Sequence, residues 1–170
     1  GKIGQLGTLE EVLALCGVDR RITPCIDFGH LNARTLGGIR SKADYAAILD
    51  RIGEALGDAR ARQFHVHFSR IEYSKGGEKR HWTFAETQFG PEPQPLMELL
   101  AERGLAPVII CESAGTQAED AKTMKRFFEA CLCTTSQFRI RIDGEVVLKE
   151  KPIHCSLTLP SRPGSQALSD

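Results

Sequence analysis

A chain of 170 residues is long enough for one compact domain with a substantial core and too short for two domains of ordinary size. Its 22 Lys plus Arg balance 22 Asp plus Glu, so no global basic field gathers phosphate, and any nucleic-acid contact has to be local. At 41% hydrophobic and 26% charged residues the chain is neither disordered throughout nor fibrous, and its longest apolar runs, such as 107–111, are far shorter than the ~20 residues of a membrane helix.

The elements follow in chain order. Thr8 and Glu11 have capping-box spacing ahead of Leu9, Val12, Leu13 and Leu15, which predicts a short amphipathic helix ended by Gly17. Residues 22–27 read as a mostly apolar strand with Thr23, Cys25 and Asp27 on one face. Ser41 and Asp44 open a second helix through Tyr45, Ile48, Leu49, Ile52 and Leu56, with Gly57 as its C-cap. The next strand, 63–69, alternates, placing Phe64, Val66 and Phe68 on one face and His65, His67 and Ser69 on the other. A long polar loop follows. Pro95 starts a third helix with Leu96, Leu99 and Leu100, stopped by Gly104, and 107–111 has the composition of a buried parallel strand. Thr116 and Glu119 form another capping box before a helix through Met124, Phe127 and Phe128. From about residue 134 the texture changes to a β-hairpin over 138–149 turning at Asp143 and Gly144, then a loose polar tail over 160–170.

Repeated strand-then-helix order predicts an α/β fold with a parallel sheet, either doubly wound or part of an eightfold barrel. In such folds ligands bind at the carboxyl ends of the strands. All three strands end in metal-binding groups: Asp27 with His30, His65 with His67, and Glu112, while His81 and Glu78 lie in the loop after the second strand. Mixed imidazole and carboxylate donors suit Zn²⁺, Mn²⁺ or Fe²⁺ better than Ca²⁺. Each residue also has an ordinary reading: Asp27 as a helix cap, His30 as a surface residue, His65 and His67 as satisfied core histidines, Glu112 as a partner for Arg34. The basic residues Arg34, Arg40, Arg70, Lys75, Lys79 and Arg80 follow the first two strands, either as a solvated rim or as a surface for an anionic substrate. Tyr73, Trp82 and Phe84 can stack on a base or anchor their loop. Cys111 points away from Glu112 and reads as a buried structural thiol. The six cysteines, Cys16, Cys25, Cys111, Cys131, Cys133 and Cys155, lack paired metal-ligand spacing and are expected to be reduced. With no basic-then-apolar leader, the default expectation is a cytoplasmic protein without a membrane partner.

At these residues the chain resembles a known family. The stretches 24–34, 64–69, 76–81 and 110–113, with the ordered series Asp-x-x-His, strand His, loop His and strand-end Glu, resemble the second half of deoxyribonuclease IV (endonuclease IV)-like proteins of the xylose isomerase-like superfamily. The resemblance covers roughly 1–130. It implies a partial TIM barrel, the last three βα units over 1–133, with an extension at 134–170. It also implies a trinuclear zinc cluster that cleaves DNA at abasic sites for repair, with Asp27, His30, His65, His81 and Glu112 as metal ligands and Glu112 and His65 as catalytic residues. His67 and Glu78 are further ligands or support the ligands, and Arg34, Arg70, Lys79 and Arg80 are candidates for the substrate phosphate. Where the family has an aspartate two residues before the loop histidine, this chain has Lys79, with Glu78 one residue off. The family's earlier strands, which carry two histidines and a glutamate, imply a missing N-terminal barrel half as a partner, since Gly1 reads as a cut just after them. Two alternatives accompany this reading: a metal-dependent sugar isomerase or epimerase, and a non-catalytic truncated barrel that requires a partner half.

Overall fold

The computed structural model describes residues 2, 4–135, 139–142 and 145–148, with side chains through residue 132. It divides into two units, Gly1–Ser136 and Gln137–Asp170. The first is a mixed α/β layer. Helix α1 (Leu9–Val18) begins at a true capping box, in which Glu11 N donates to the Thr8 hydroxyl and the Glu11 carboxylate accepts from Thr8 N at 2.8 Å. It buries Leu13 and Cys16, whereas Leu15, expected on the apolar face, is exposed. Strand β1 is only Cys25–Asp27, and Ile22 lies outside it, exposed.

Helix α2 (Phe28–Arg34) starts directly at the end of β1, a segment in which no helix was expected. Asp27 is its N-cap, accepting from His30 N at 2.9 Å. Helix α3 (Lys42–Leu56) carries the expected Ser41/Asp44 capping box and buries Tyr45, Leu49 and Ile52, and Gly57 closes it at a φ of 78°. A four-residue turn, α4 (Asp58–Ala61), leads to β2 (His65–Phe68).

The expected loop after β2 is instead an antiparallel hairpin of β3 (Arg70–Ser74) and β4 (Gly77–Trp82), with a bulge between Glu72 and Tyr73. Its charged sequence hid it, because Glu72 spans the ladder to bind Lys79 at 2.7 Å and Arg80 at 2.8 Å. Trp82 and Tyr73 pack edge-on against Phe89 with centroids 5.1 and 5.0 Å apart, and Phe84 packs on Phe68. The aromatic residues of this segment are therefore anchors. Helix α5 (Pro93–Glu102) precedes β5 (Val108–Cys111) and α6 (Gln117–Thr135). At the end of α5, Gly104 takes a φ of 62° while Leu105 N donates to Leu100 O and Gly104 N to Ala101 O, the double closure of a Schellman motif.

Strands β1, β2 and β5 form one parallel sheet in that order, with Cys25, His65 and Val108 in one row and Asp27, His67 and Ile110 in the next. Period-2 alternation then sorts the faces. Ile26, Val66, Phe64, Phe68 and Cys111 turn inward against α3, α5 and α6 with Tyr45, Leu96, Leu100 and Met124. The opposite face is open: Val108 is 57% and Ile110 48% exposed, so β5 is not the doubly buried strand its composition suggested. In the second unit β6 (Arg139–Ile142) pairs antiparallel with β7 (Glu145–Leu148), and the turn residues Asp143 and Gly144, Cys155 and the 160–170 tail lie outside the described residues. Among the described residues no helix is long and apolar enough to cross a membrane.

Candidate metal centre

The carboxyl ends of the three parallel strands bring two sets of donors together. One is Asp27, His67 and Glu112, and the other is His30, Glu78 and His81, with the ligand atoms of each set within 4.8 Å of one another. The first follows from strand register. Asp27 and His67 are paired residues on β1 and β2, and Glu112 continues the open face of β5, held by its backbone N–H to Phe68 O at 2.9 Å. His67 Nδ1 lies 3.0 Å from Glu112 Oε1.

The second set is assembled from a helix and a hairpin. His30 projects from the first turn of α2 and His81 from β4, with their Nε2 atoms 3.3 Å apart. Glu78 completes the set, its two carboxylate oxygens lying 3.3 Å from His30 Nε2 and 3.6 Å from His81 Nε2. Donors around a four-coordinate Zn²⁺ at ~2.0–2.1 Å stand about 3.3 Å apart, so this spacing fits a metal with little rearrangement. The other ring nitrogens are also engaged: His30 Nδ1 faces Asp27 Oδ2 at 3.4 Å and His81 Nδ1 faces the Ser69 hydroxyl at 2.8 Å. Ligating histidines characteristically use the distal nitrogen in this way. Asp27 thus both caps α2 and links the two sets, so its ordinary reading and its functional one coexist.

Gly29 makes this closeness possible. A Cβ built on it would stand 2.6 Å from Ser69 O and 3.0 Å from Ile71 Cδ1, so only glycine lets α2 lie against the root of the β3–β4 hairpin. A cleft of about 180 Å³ adjoins the site, lined by Leu9, Val12, Cys25, Asp27, His30 and Glu78 among others.

The two donor sets take His67 where the sequence reading put His65 as a ligand. His65 lies on the same face one row further from the carboxyl edge, beside Cys25 and Val108, and is exposed. Glu78 enters despite its shifted spacing, because the bulge in the hairpin resets the register between it and His81. The basic residues expected at a substrate phosphate have protein partners. Arg34 donates to Lys2 O and Gln5 O at 2.9 and 2.6 Å, and Arg70, 4% exposed, binds Glu92 at 2.6 Å and Phe89 O at 3.0 Å. Lys79 and Arg80 share Glu72, and Arg80 also lies 5.1 Å above the Trp82 ring. Burial pushes the Cys111 thiol up to about 11, and its sulfur contacts Met124 Sδ at 3.6 Å on the face opposite Glu112. The Cys25 thiol is raised by burial and then by the charges of Asp27 and Glu112.

Fold and site together define a mixed α/β chain with a three-strand parallel sheet and two His–carboxylate sets at its carboxyl edge. The chain is 35% identical over 129 residues, 76% of its length, to an uncharacterized protein of Methanocaldococcus jannaschii. That alignment covers 46% of the archaeal protein, so the chain spans about half the length of the curated relative it matches. No family model and no solved structure matches the chain.

Proposed function

We propose that this chain is the last three βα units of a (β/α)₈ barrel, and that the whole protein is a divalent-metal phosphodiesterase resembling deoxyribonuclease IV, acting on DNA at abasic sites. The observation that carries the reading is the pair of three-donor sets, joined through Asp27 and His30, at the mouth formed by consecutive parallel strands. Three parallel strands in chain order, with the face bearing Val108 and Ile110 uncovered, are what an incomplete barrel would present. Asp27, His67 and Glu112 would hold one ion and His30, Glu78 and His81 another. Bound ions of this class, Zn²⁺ or else Mn²⁺ or Fe²⁺, supply Lewis acidity toward a phosphoryl oxygen and a nucleophile from water at neutral pH.

The protein's own groups have separate tasks. Asp27 fixes the entry of α2 and aligns the His30 ring, while the register of β1 on β2 holds His67 beside the strand-end carboxylates. Lys79 and Arg80, on the exposed arm of the hairpin, can exchange Glu72 for a phosphate, whereas Arg70 is a structural cation. The test is elemental analysis of the purified full-length parent with an abasic-site oligonucleotide nicking assay. Stoichiometric transition metal and nicking, both lost on His67→Ala and Glu112→Ala, are expected, and a metal-free, inactive parent ends the proposal.

The pairing of Arg34, Arg70, Lys79 and Arg80 with protein partners favours one second reading, a sugar isomerase or epimerase using the same donors on a less anionic substrate. Solvent deuterium incorporation at carbon, screened over ketoses and their phosphates with the parent protein, separates it from the nuclease.

A further inference from the structure

Ser69 has no place in the donor sets, yet it stands at the junction of the two segments that build one of them. It is 1% exposed, between the end of β2 and the start of β3, and its hydroxyl lies 2.8 Å from His81 Nδ1 across the hairpin. Its carbonyl oxygen lies against Gly29, where a Cβ would approach to 2.6 Å, one residue before His30. One residue therefore touches both arms: the hydroxyl meets the histidine of the hairpin, and the backbone meets the helix that carries the other histidine. Accepting from Nδ1–H, the hydroxyl favours the tautomer whose Nε2 is bare, the form a metal ligand requires, and keeps that nitrogen aimed at His30 and Glu78.

We propose that Ser69 is the positioning residue of the His30–Glu78–His81 set: it locks the His81 ring through Nδ1 and, packed on Gly29, sets the spacing between the two imidazoles. The proposal rests on the metal reading above for its purpose, and its structural content is independent of that reading. Two measurements on this chain test it. In the first, ¹³C and ¹⁵N shifts of the His81 ring are recorded without metal for the unaltered chain, Ser69→Ala and Ser69→Thr. A single dominant tautomer is expected in the unaltered chain and in Ser69→Thr, with averaging in Ser69→Ala, which removes one oxygen and leaves the packing otherwise intact. In the second, Co²⁺ is titrated and followed by visible absorption. Ser69→Ala is expected to weaken binding about 10- to 100-fold, the range found when the distal partner of a metal histidine is lost, Ser69→Thr to restore it, and Gly29→Ala to weaken it by forcing α2 away from Ser69 O. Unchanged His81 shifts in Ser69→Ala overturn the assignment. If the unaltered chain takes up no Co²⁺, the ring shifts alone decide whether Ser69 holds His81, and the metal reading is decided on the parent protein.

Discussion

Glu11 shows how a single side chain can make the fold sensitive to pH. The backbone N–H groups of Thr8 and Gly7, and then the Thr8 hydroxyl, hold its carboxyl down to about 2 from an ordinary 4.5. A carboxyl depressed by folding contributes stability above its unfolded value, and the contribution is lost as pH falls from about 4.5 toward about 2. Urea midpoints measured across that window should drop for the unaltered chain and drop less steeply for Glu11→Gln; parallel curves would show that the capping box carries none of the pH dependence. Cys111 shifts in the other sense. With its thiol pushed up to about 11 by burial, iodoacetamide at pH 8 should label exposed Cys25 well before Cys111, as peptide mapping over time can read. Rapid labelling of Cys111 would mean that the sheet does not seal on α6.

Among the elements, α3 has the most complete set of local signals. Its Ser41 side chain accepts from Asp44 N, and the Asp44 carboxylate accepts from Ser41 N at 2.8 Å and Arg40 N at 2.9 Å. Ser41→Ala should cost about 1 kcal/mol in chemical denaturation, and Ser41→Asn should recover most of it. The helices α1, α3 and α5 and the inward face of β2 were legible in the sequence because caps, 3.6-residue spacing and alternation are local. The short helix α2 and the hairpin were not. Phe28–Arg34 takes its helical form from Asp27 capping and from Gly29 packing on Ser69, and the hairpin is held by Glu72 across strands, none of which local periodicity registers. The candidate donors were legible as residues at strand ends. The choice between His65 and His67 depends on register, and parity alone places both on one face. Register places His67 beside Asp27, in the row nearest the carboxyl edge, and His65 one row back. Arg70 differs from the sequence reading for a related reason: sequence gives the sign of a charge but not its partner, and its guanidinium is bound to Glu92 and the Phe89 carbonyl.

For the molecule as a whole, the open face of the sheet is the decisive feature. Val108 and Ile110 expose apolar surface on the face that carries Asp27, His67 and Glu112, and burial of such surface is worth ~25 cal/mol per Å². The isolated chain should therefore bind a solvatochromic dye at this face, hold Zn²⁺ weakly in calorimetry and fail to nick abasic DNA. Under the proposed barrel reading, the other strands of the barrel supplied in trans should suppress dye binding and raise metal uptake together. Robust nicking by residues 1–170 alone, abolished by Glu112→Ala, would show that the exposed face matters for stability only.

The same sheet also takes its strands in chain order. Cys25 pairs with His65 and His65 with Val108, so each new strand closes a loop of similar length onto the one before it. Each pairing waits for the elements between its two strands: α2, α3 and α4 before β2, and the β3–β4 hairpin and α5 before β5. A chain emerging from its N-terminus exposes β1 before β2 and β2 before β5. The pairing order of the sheet is thus the order of its strands along the chain, with β2 in the middle and β1 and β5 at its two edges.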